Sequence, residues 1–276
     1  MRAPRTSTEC VAIVAGASGG IGAATARALL ARGCSVVLAA LPDALLDALA
    51  EELAPFGERV LVVPTDVTSR AAIDALVARA LVRFGRIDVL ANCAGIGASP
   101  SFCACDDAEL ERVLAVNLLG AARLMHAVLP VMKAQRRGSI VTVGSIAGEA
   151  GVMGIYSASK FGVRGLCDSV RREVRSFGVG VTLIQPGFVA TPMNPAMKNL
   201  PGPEVVADAI VAAIARPRRK HIVPAGYRLP VFFVKAFPGV TDLIFGDARI
   251  QHRLNRDAVA ERAALAERAA RNGASS

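Results

Sequence analysis

Seven short apolar runs recur through the first 224 residues, and longer stretches with apolar positions at helical spacing lie between them. Residues 10–15 read C-V-A-I-V-A, an uninterrupted run of the kind carried by strands buried on both faces. Runs of the same character fall at 35–40, 60–64, 87–91, 139–143 and 180–184, with a shorter one at 221–223. The intervening segments 23–31, 42–54, 69–84, 106–133, 156–177 and 203–215 predict helices, with Ser69 placed to cap one and Gly85 to end it. Strands alternating with helices through short connections predict an α/β fold built on a doubly wound, parallel, seven-stranded sheet.

The pattern changes after residue 224. Residues 227–246 are apolar but carry Pro230, Lys235 and Pro238, which argue against a spanning helix. Three roles stay open for this stretch: a lid over an apolar substrate, an oligomer contact, or a segment lying on a membrane surface. Residues 247–271 are rich in Ala, Arg and Glu and predict a further helix, with 272–276 fraying. The expected division is a tail at 1–9, a single α/β domain at 10–224, and an extension at 225–276.

In a parallel sheet of this type ligands bind outside the carboxyl ends of the strands. Gly16, Asp66, Asn92 and Ser145 each follow an apolar run, so the predicted fold collects them on one rim. Gly16-Ala17-Ser18-Gly19-Gly20-Ile21-Gly22 joins the first strand to the first helix. A glycine turn in that position brings backbone N–H groups and a helix N-terminus to bear on a pyrophosphate. Asn117 lies between apolar residues in the middle of its helix and needs partners there. It either stitches the helix to a neighbouring loop or serves an active site. Tyr156 and Lys160 are four residues apart and share a helix face. An ammonium beside a phenol favours the phenolate and makes a proton donor or acceptor for neutral pH. Taken alone, this spacing more often describes a surface pair.

Composition narrows the function further. Hydrophobic residues make up 53% of the chain, enough for a large core. The six cysteines form no C-x-x-C and the three histidines are scattered, so no metal site is expected and a reducing cytoplasm suits the thiols. No secretory leader opens the sequence, and no stretch of 18 uninterrupted apolar residues predicts a spanning helix. Residues 216–276 hold twelve Lys/Arg against five Asp/Glu and so carry most of the net charge of +9. That bias suits an anionic surface or simple solvation. No finger spacing or basic-aromatic motif points to nucleic acid.

Taken together, the glycine motif at 15–22, Asp66-Val67, Asn92-Cys93-Ala94-Gly95, Asn117, Ser145, Tyr156-x-x-x-Lys160 and Pro186-Gly187-x-x-x-Thr191 resemble the short-chain dehydrogenase/reductase family. The resemblance runs from about residue 10 to 223 and implies a single Rossmann domain with strand order 3-2-1-4-5-6-7. It implies that Tyr156 is the general acid/base and that Lys160 lowers the tyrosine pKa and bonds the nicotinamide ribose. Ser145 would bond the substrate oxygen, and Asn117 would hold a water linking Lys160 to solvent. The cofactor would lie against Gly16, Ser18, Gly20, Ile21, Gly22, Asp66, Val67, Asn92, Ala94, Gly95, Tyr156, Lys160, Pro186, Gly187, Val189 and Thr191. A homodimer or homotetramer would form through the helices at 106–133 and 156–177.

Three positions depart from the family pattern. Ala15 replaces a threonine, Cys93 replaces an asparagine, and the interval from Ser145 to Tyr156 is shorter than usual. The cofactor is NADP or NAD. Ala40, at the end of the second strand, offers no acid for the NAD ribose and leans the choice to NADP, while Asp43 either reaches the ribose or caps its helix. Val152, Met153, Ile155, Phe188, Met193 and Met197, with residues 227–246, make either ordinary core packing or an apolar pocket, and the pocket would suit an apolar alcohol or ketone of lipid, steroid or retinoid type. The competing class is a non-catalytic dinucleotide-binding sensor or scaffold.

Overall fold

The computed structural model describes residues 10–99, 101–191, 193, 199–247 and 249. The expected tail at 1–9, the helix at 247–271 apart from its first positions, the fraying end at 272–276 and Met197 all lie outside the described residues. In chain order the elements are β1 (Val11–Ala15), α1 (Gly20–Ala31), β2 (Ser35–Ala40), α2 (Ala44–Leu53), β3 (Val60–Pro64), α3 (Arg70–Phe84), β4 (Val89–Asn92) and α4 (Asp107–Leu114). After them come α5 (Ala121–Gln135), β5 (Gly138–Val143), α6 (Ala147–Ala150), α7 (Gly154–Val174), β6 (Val179–Pro186), α8 (Glu204–Ala215), β7 (Lys220–Val223), α9 (Arg228–Ala236) and α10 (Pro238–Phe245).

All seven strands form one parallel sheet in the order β3-β2-β1-β4-β5-β6-β7, as the resemblance implied. The continuous apolar runs have the expected cause, because each central strand is covered on both faces. One core layer packs Ile73 and Leu76 of α3, Leu124, Met125 and Val128 of α5, and Val163 and Cys167 of α7 against the sheet. The other packs Leu29 and Leu30 of α1, Leu46 and Leu49 of α2, and Val206 and Ile210 of α8. Burying a Leu or Ile side chain contributes about 1.5–3 kcal/mol, so these two layers dominate the stability.

Local chemistry sets the helix ends. Asp43 caps α2 by accepting from Leu46 N at 2.7 Å, and Ser69 caps α3 by accepting from Ala72 N at 3.2 Å. Gly85 closes α3 in the left-handed region at φ 73°. The predicted continuous helix at 106–133 is instead α4, a π-helical turn at Ala115–Gly120, and α5. The wider turn carries Asn117 into the interior, and Gly120 lets it press on Val67, where a Cβ would lie 2.9 Å from Val67 Cγ2. By length and apolar composition the whole stretch Asp107–Gln135 is able to cross a membrane. Its buried residues belong to the core layer beside the sheet, which is what gives it that composition.

The apolar stretch after β7 forms two short helices. Pro230 sits in the first turn of α9, where its missing N–H costs nothing, and Pro238 starts α10 after a break at Phe237. Val231 of α9 is buried, while Leu229, Phe232, Phe233, Phe237, Val240, Leu243 and Ile244 are exposed.

Asp88 braces the amino edge of the sheet. Its carboxylate accepts from Val11 N at 3.0 Å and from Arg86 at 2.8 and 2.9 Å, and it pairs with Arg137 at 3.0 Å. Asp88→Asn leaves two guanidinium groups facing a neutral amide, and removing one partner of a buried pair costs about 3–5 kcal/mol. Denaturant unfolding of Asp88→Asn is expected to show a loss of about 3 kcal/mol. Dinucleotide affinity is expected to stay at the wild-type value, because the ligand rim is at the opposite edge.

Candidate active site

The parallel register brings the expected residues to one edge. β1 ends at Ala15 beside Asn92, the last residue of β4, and β5 ends at Val143 beside Ile184 of β6. The loops leaving those strands hold the glycine turn, residues 93–99, Ser145 and Pro186-Gly187. The expected rim is therefore present as a continuous edge.

Gly16 adopts φ +75°, and a Cβ there would lie 2.7 Å from Ala94 Cα and N. A Cβ on Gly22 would lie 2.0 Å from the Gly16 carbonyl oxygen. Both positions exclude any side chain and press the start of α1 against the turn. No side chain caps α1, so its first-turn amides, including those of Gly20, Ile21 and Gly22, are free for an anion. Asn92 is buried and its Oδ1 has no hydrogen-bond partner. An uncapped helix N-terminus, a cradle that a Cβ would fill and an unpartnered buried oxygen on one rim fit a dinucleotide. Asp66 Oδ1 accepts from both Thr68 N and Thr68 Oγ1 at 2.8 Å, which fixes the turn after β3 beside buried Val67. Val189 is buried and Thr191 half-buried in the loop after β6.

Asp43 does more than cap α2. Its second oxygen accepts from Ser18 Oγ at 3.4 Å, which ties the helix start to the glycine turn. A carboxylate therefore stands beside the turn even though Ala40 closes β2.

The residues expected to handle a proton gather at the start of α7. Tyr156 is 9% and Lys160 5% exposed. Ser145 lies close enough to Tyr156 to lower its pKa, and Ser145 Oγ accepts from Ala147 N at 3.1 Å. Lys160 Nζ donates to Val143 O at 3.4 Å and lies 5.5 Å from the centre of the Tyr156 ring. A Cβ on Gly95 would come within 3.2 Å of Lys160 Nζ and 3.3 Å of Asn117 Oδ1, so both groups converge on that glycine. Asn117 Oδ1 accepts from Ile96 N at 2.8 Å, and its Nδ2 donates to Ile96 O at 3.0 Å and Ser159 Oγ at 3.1 Å. Asn117 thus stitches its helix to the 93–99 loop, next to Lys160.

One expectation needs correction. Lys160 does not bring the Tyr156 pKa down: burial raises it and outweighs the lowering by the Ser145 hydrogen bond. Burial also brings Lys160 down to about 8, with the Cys93 charge acting in the opposite sense. Both ionisations are penalised by the same low-polarity surroundings, and the ammonium is aimed at a backbone oxygen rather than at the phenol.

Around this group, Ile155 is buried and Val152 and Met153 are half-buried, while Phe188 and Met193 are exposed. Phe102 packs against Gly154, where a Cβ would meet the Phe102 backbone at 3.4 Å. Tyr227, from the segment beyond β7, covers Gly187 so closely that a Cβ there would lie 2.3 Å from its ring. Glu149, one turn past Ser145, is a buried carboxylate that the motif reading does not include. Its sequence signal is an acid isolated among small residues in Ala147-Gly148-Glu149-Ala150, directly after a rim serine.

The family model described as short chain dehydrogenase matches residues 10–200. An uncharacterized oxidoreductase of Staphylococcus haemolyticus is 36% identical over 219 residues, covering 77% of this chain and 94% of the relative. The 3-oxoacyl-[acyl-carrier-protein] reductase of Escherichia coli is 35% identical over 191 residues, covering 68% of this chain and 77% of the relative. Among solved structures, a short chain dehydrogenase/reductase from Burkholderia phymatum in complex with NAD superposes with a TM-score of 0.77 at 28% identity, covering 84% of this chain and 94% of the other. A single-residue variant of the actinorhodin polyketide ketoreductase with NADPH superposes with a TM-score of 0.74 at 29% identity, covering 80% and 98%.

The buried lysine makes stability depend on pH in a stated direction. Unfolded Lys160 titrates near 10.5 and the folded residue near 8. Between those values the unfolded chain holds more protons, so stability rises with pH, by up to roughly 3 kcal/mol across the window. Urea unfolding at pH 8 and at pH 10 is expected to show this rise in the wild type and a smaller one in Lys160→Met.

Proposed function

Because the chain belongs to the short chain dehydrogenase family, we propose that it interconverts an apolar alcohol and the corresponding ketone or aldehyde, with Tyr156 as general acid/base. Membership in the family carries nicotinamide-dependent oxidoreduction with it. The observation that supports the finer reading is the gathering of Ser145 beside Tyr156 at the carboxyl rim, with Lys160 buried one helical turn away and converging with Asn117 on Gly95.

When bound, the nicotinamide supplies or accepts the hydride. The chain's own residues do the rest. In the reducing direction, the Tyr156 hydroxyl gives its proton to the substrate oxygen as charge builds there. Its raised pKa keeps it protonated at neutral pH, ready to act as an acid. The Ser145 hydroxyl bonds the same oxygen and stabilises its developing charge. Lys160 holds a positive charge behind the tyrosine and is the donor for the ribose hydroxyls. It gains that role by giving up little, since its present bond to Val143 O is long. Asn117 fixes the 93–99 loop, so that the oxygens around Lys160 keep their places.

Ala40 alone leans the cofactor choice to NADP. Asp43 weighs the other way: a carboxylate beside Ser18 opposes a phosphate and suits ribose hydroxyls. We therefore read NAD as the better cofactor. Val152, Met153, Ile155, Phe188 and Met193 favour an apolar substrate. The names of two relatives, a 3-oxoacyl reductase and a polyketide ketoreductase, are consistent with work on a carbonyl. A homodimer or homotetramer is the assembly we expect. The extension after residue 224, whose Tyr227 packs on Gly187, is read as a wall of the substrate site. Its exposed apolar helices keep an oligomer contact and a membrane-surface contact in view. The six free thiols suit a reducing compartment such as the cytoplasm.

Two measurements test this reading. Tyr156→Phe is expected to lower kcat on an apolar ketone by about 10²–10⁴-fold while leaving NADH affinity unchanged. Comparable turnover in a folded variant removes Tyr156 from the chemistry. Fluorescence titration is expected to show NADH bound about tenfold more tightly than NADPH, with the gap narrowing in Asp43→Ser. Tighter NADPH binding returns the cofactor reading to the one Ala40 suggests. Tight cofactor binding without turnover on a broad panel favours the sensor or scaffold class.

A further inference from the structure

The loop between Ser145 and Tyr156 contains only one helical turn, α6, and a single turn has no stability of its own. Two features hold it. Gly148 lies flat on α7, where a Cβ would be 2.8 Å from the Lys160 carbonyl carbon and oxygen. The Glu149 side chain is fully buried and carries charged or polar partners from four other elements. Its Oε1 accepts from Gln185 Nε2 of β6 at 2.9 Å and from Lys220 Nζ of β7 at 3.1 Å. Its Oε2 pairs with Arg164 of α7 at 2.8 Å and with Lys235 of α9 at 2.7 Å.

We propose that Glu149 is a positioning residue for Ser145, and that through Lys235 the C-terminal helix α9 is clamped onto the segment that aims the serine hydroxyl. The inference rests on the reading of Ser145 and Tyr156 as the reacting pair. The mechanical chain is short. Ser145 Oγ takes its direction from Ala147 N, the first residue of α6, at 3.1 Å. The base of the same segment is tied to β6 by Gly144 N donating to Ile184 O at 2.7 Å and Ile146 N donating to Pro186 O at 3.0 Å. If Glu149 loses its ties, α6 loses its charged anchors to β6, β7, α7 and α9, and the Ala147 amide fixes the hydroxyl less firmly.

The electrostatics show why this carboxylate belongs here. Burial by itself raises the pKa of Glu149, but bonds from Lys235, Gln185 and Lys220 and the charge of Arg164 outweigh it and hold the group at about 2. It is therefore an anion throughout the working range. Three cations from three elements meet on one carboxylate, so taking the anion away leaves them facing one another. Lys220 and Lys235 also line the groove between β7 and α9, with Ile222, Val231 and Phe232. Two of the clamp's cations thus border that groove as well as tie down α9.

The test uses the full-length chain. Glu149→Gln keeps the shape and removes the charge, and Lys235→Met removes only the tie to α9. Both are expected to bind NADH within about twofold of wild type and to lower kcat more than they raise KM. The expected losses are about tenfold for Glu149→Gln and about threefold for Lys235→Met. In a Ser145→Ala background neither change is expected to lower kcat further, because residues that act through one another are not additive. Losses that multiply overturn the proposal. Amide hydrogen exchange separates it from the reading of the reaction. At residues 145–150 exchange is expected to quicken at least about tenfold in Lys235→Met, with β5 unchanged. Unchanged exchange overturns the clamp even in an active enzyme. Quickened exchange in a protein with no turnover supports the clamp and removes the reaction assigned to Ser145 and Tyr156.

Discussion

The parallel hydrogen-bond ladder joining β2, β1, β4, β5 and β6 is the constraint on which the rest depends. It fixes which residues lie beside which, and its shared direction sends every loop from a strand end to one edge. Ala15 is held beside Asn92, Asn92 beside Thr142, and Val143 beside Ile184. A slip of one residue in any pair would turn an apolar face to the wrong layer. It would also carry Gly16, Gly95 or Ser145 off the rim. The core layers and the site are therefore specified by the same register.

Much of this was legible because uninterrupted apolar runs have few uses outside a covered sheet. The strand positions, the caps at Ser69 and Gly85, and the edge shared by Gly16, Asn92 and Ser145 follow from that pattern together with turn chemistry. The less legible features depend on distances through space. The π-helical turn at Ala115–Gly120 is invisible in spacing, since its sequence reads as ordinary helix. The pKa shift of Tyr156 has the opposite sign from the one its neighbour suggests. Helical spacing puts Lys160 near Tyr156 but does not say that burial outweighs the charge. Asp43 was recognisable as a cap, yet its contact with Ser18 crosses 25 residues of sequence. Glu149 shows the same limit more strongly, because its partners come from residues 164, 185, 220 and 235.

Three buried charges illustrate how differently one fold treats the cost of desolvation. Asp88 has two arginines and a backbone amide and braces the amino edge. Glu149 has three cations and an amide and ties α6 to four other elements. Lys160 has a long bond to one backbone oxygen, and burial lowers its pKa. The first two are paired with cations from several elements and are structural in consequence. The lysine is left short of partners at the rim where a ligand would complete its shell. Under the proposed function, this is the distribution expected when stability is secured elsewhere and the lysine is kept ready for its ligand.

The exposed face of α9 and α10 places seven large apolar side chains within residues 229–244, with Phe232, Phe233 and Phe237 in ring contact. Covering such a surface releases little heat near room temperature and lowers the heat capacity. A partner that covered it would be held mainly by the entropy of released water. That attachment weakens on cooling and strengthens in sulfate or phosphate. Temperature and salt type, rather than ionic strength alone, are therefore the natural controls on how this end of the molecule associates.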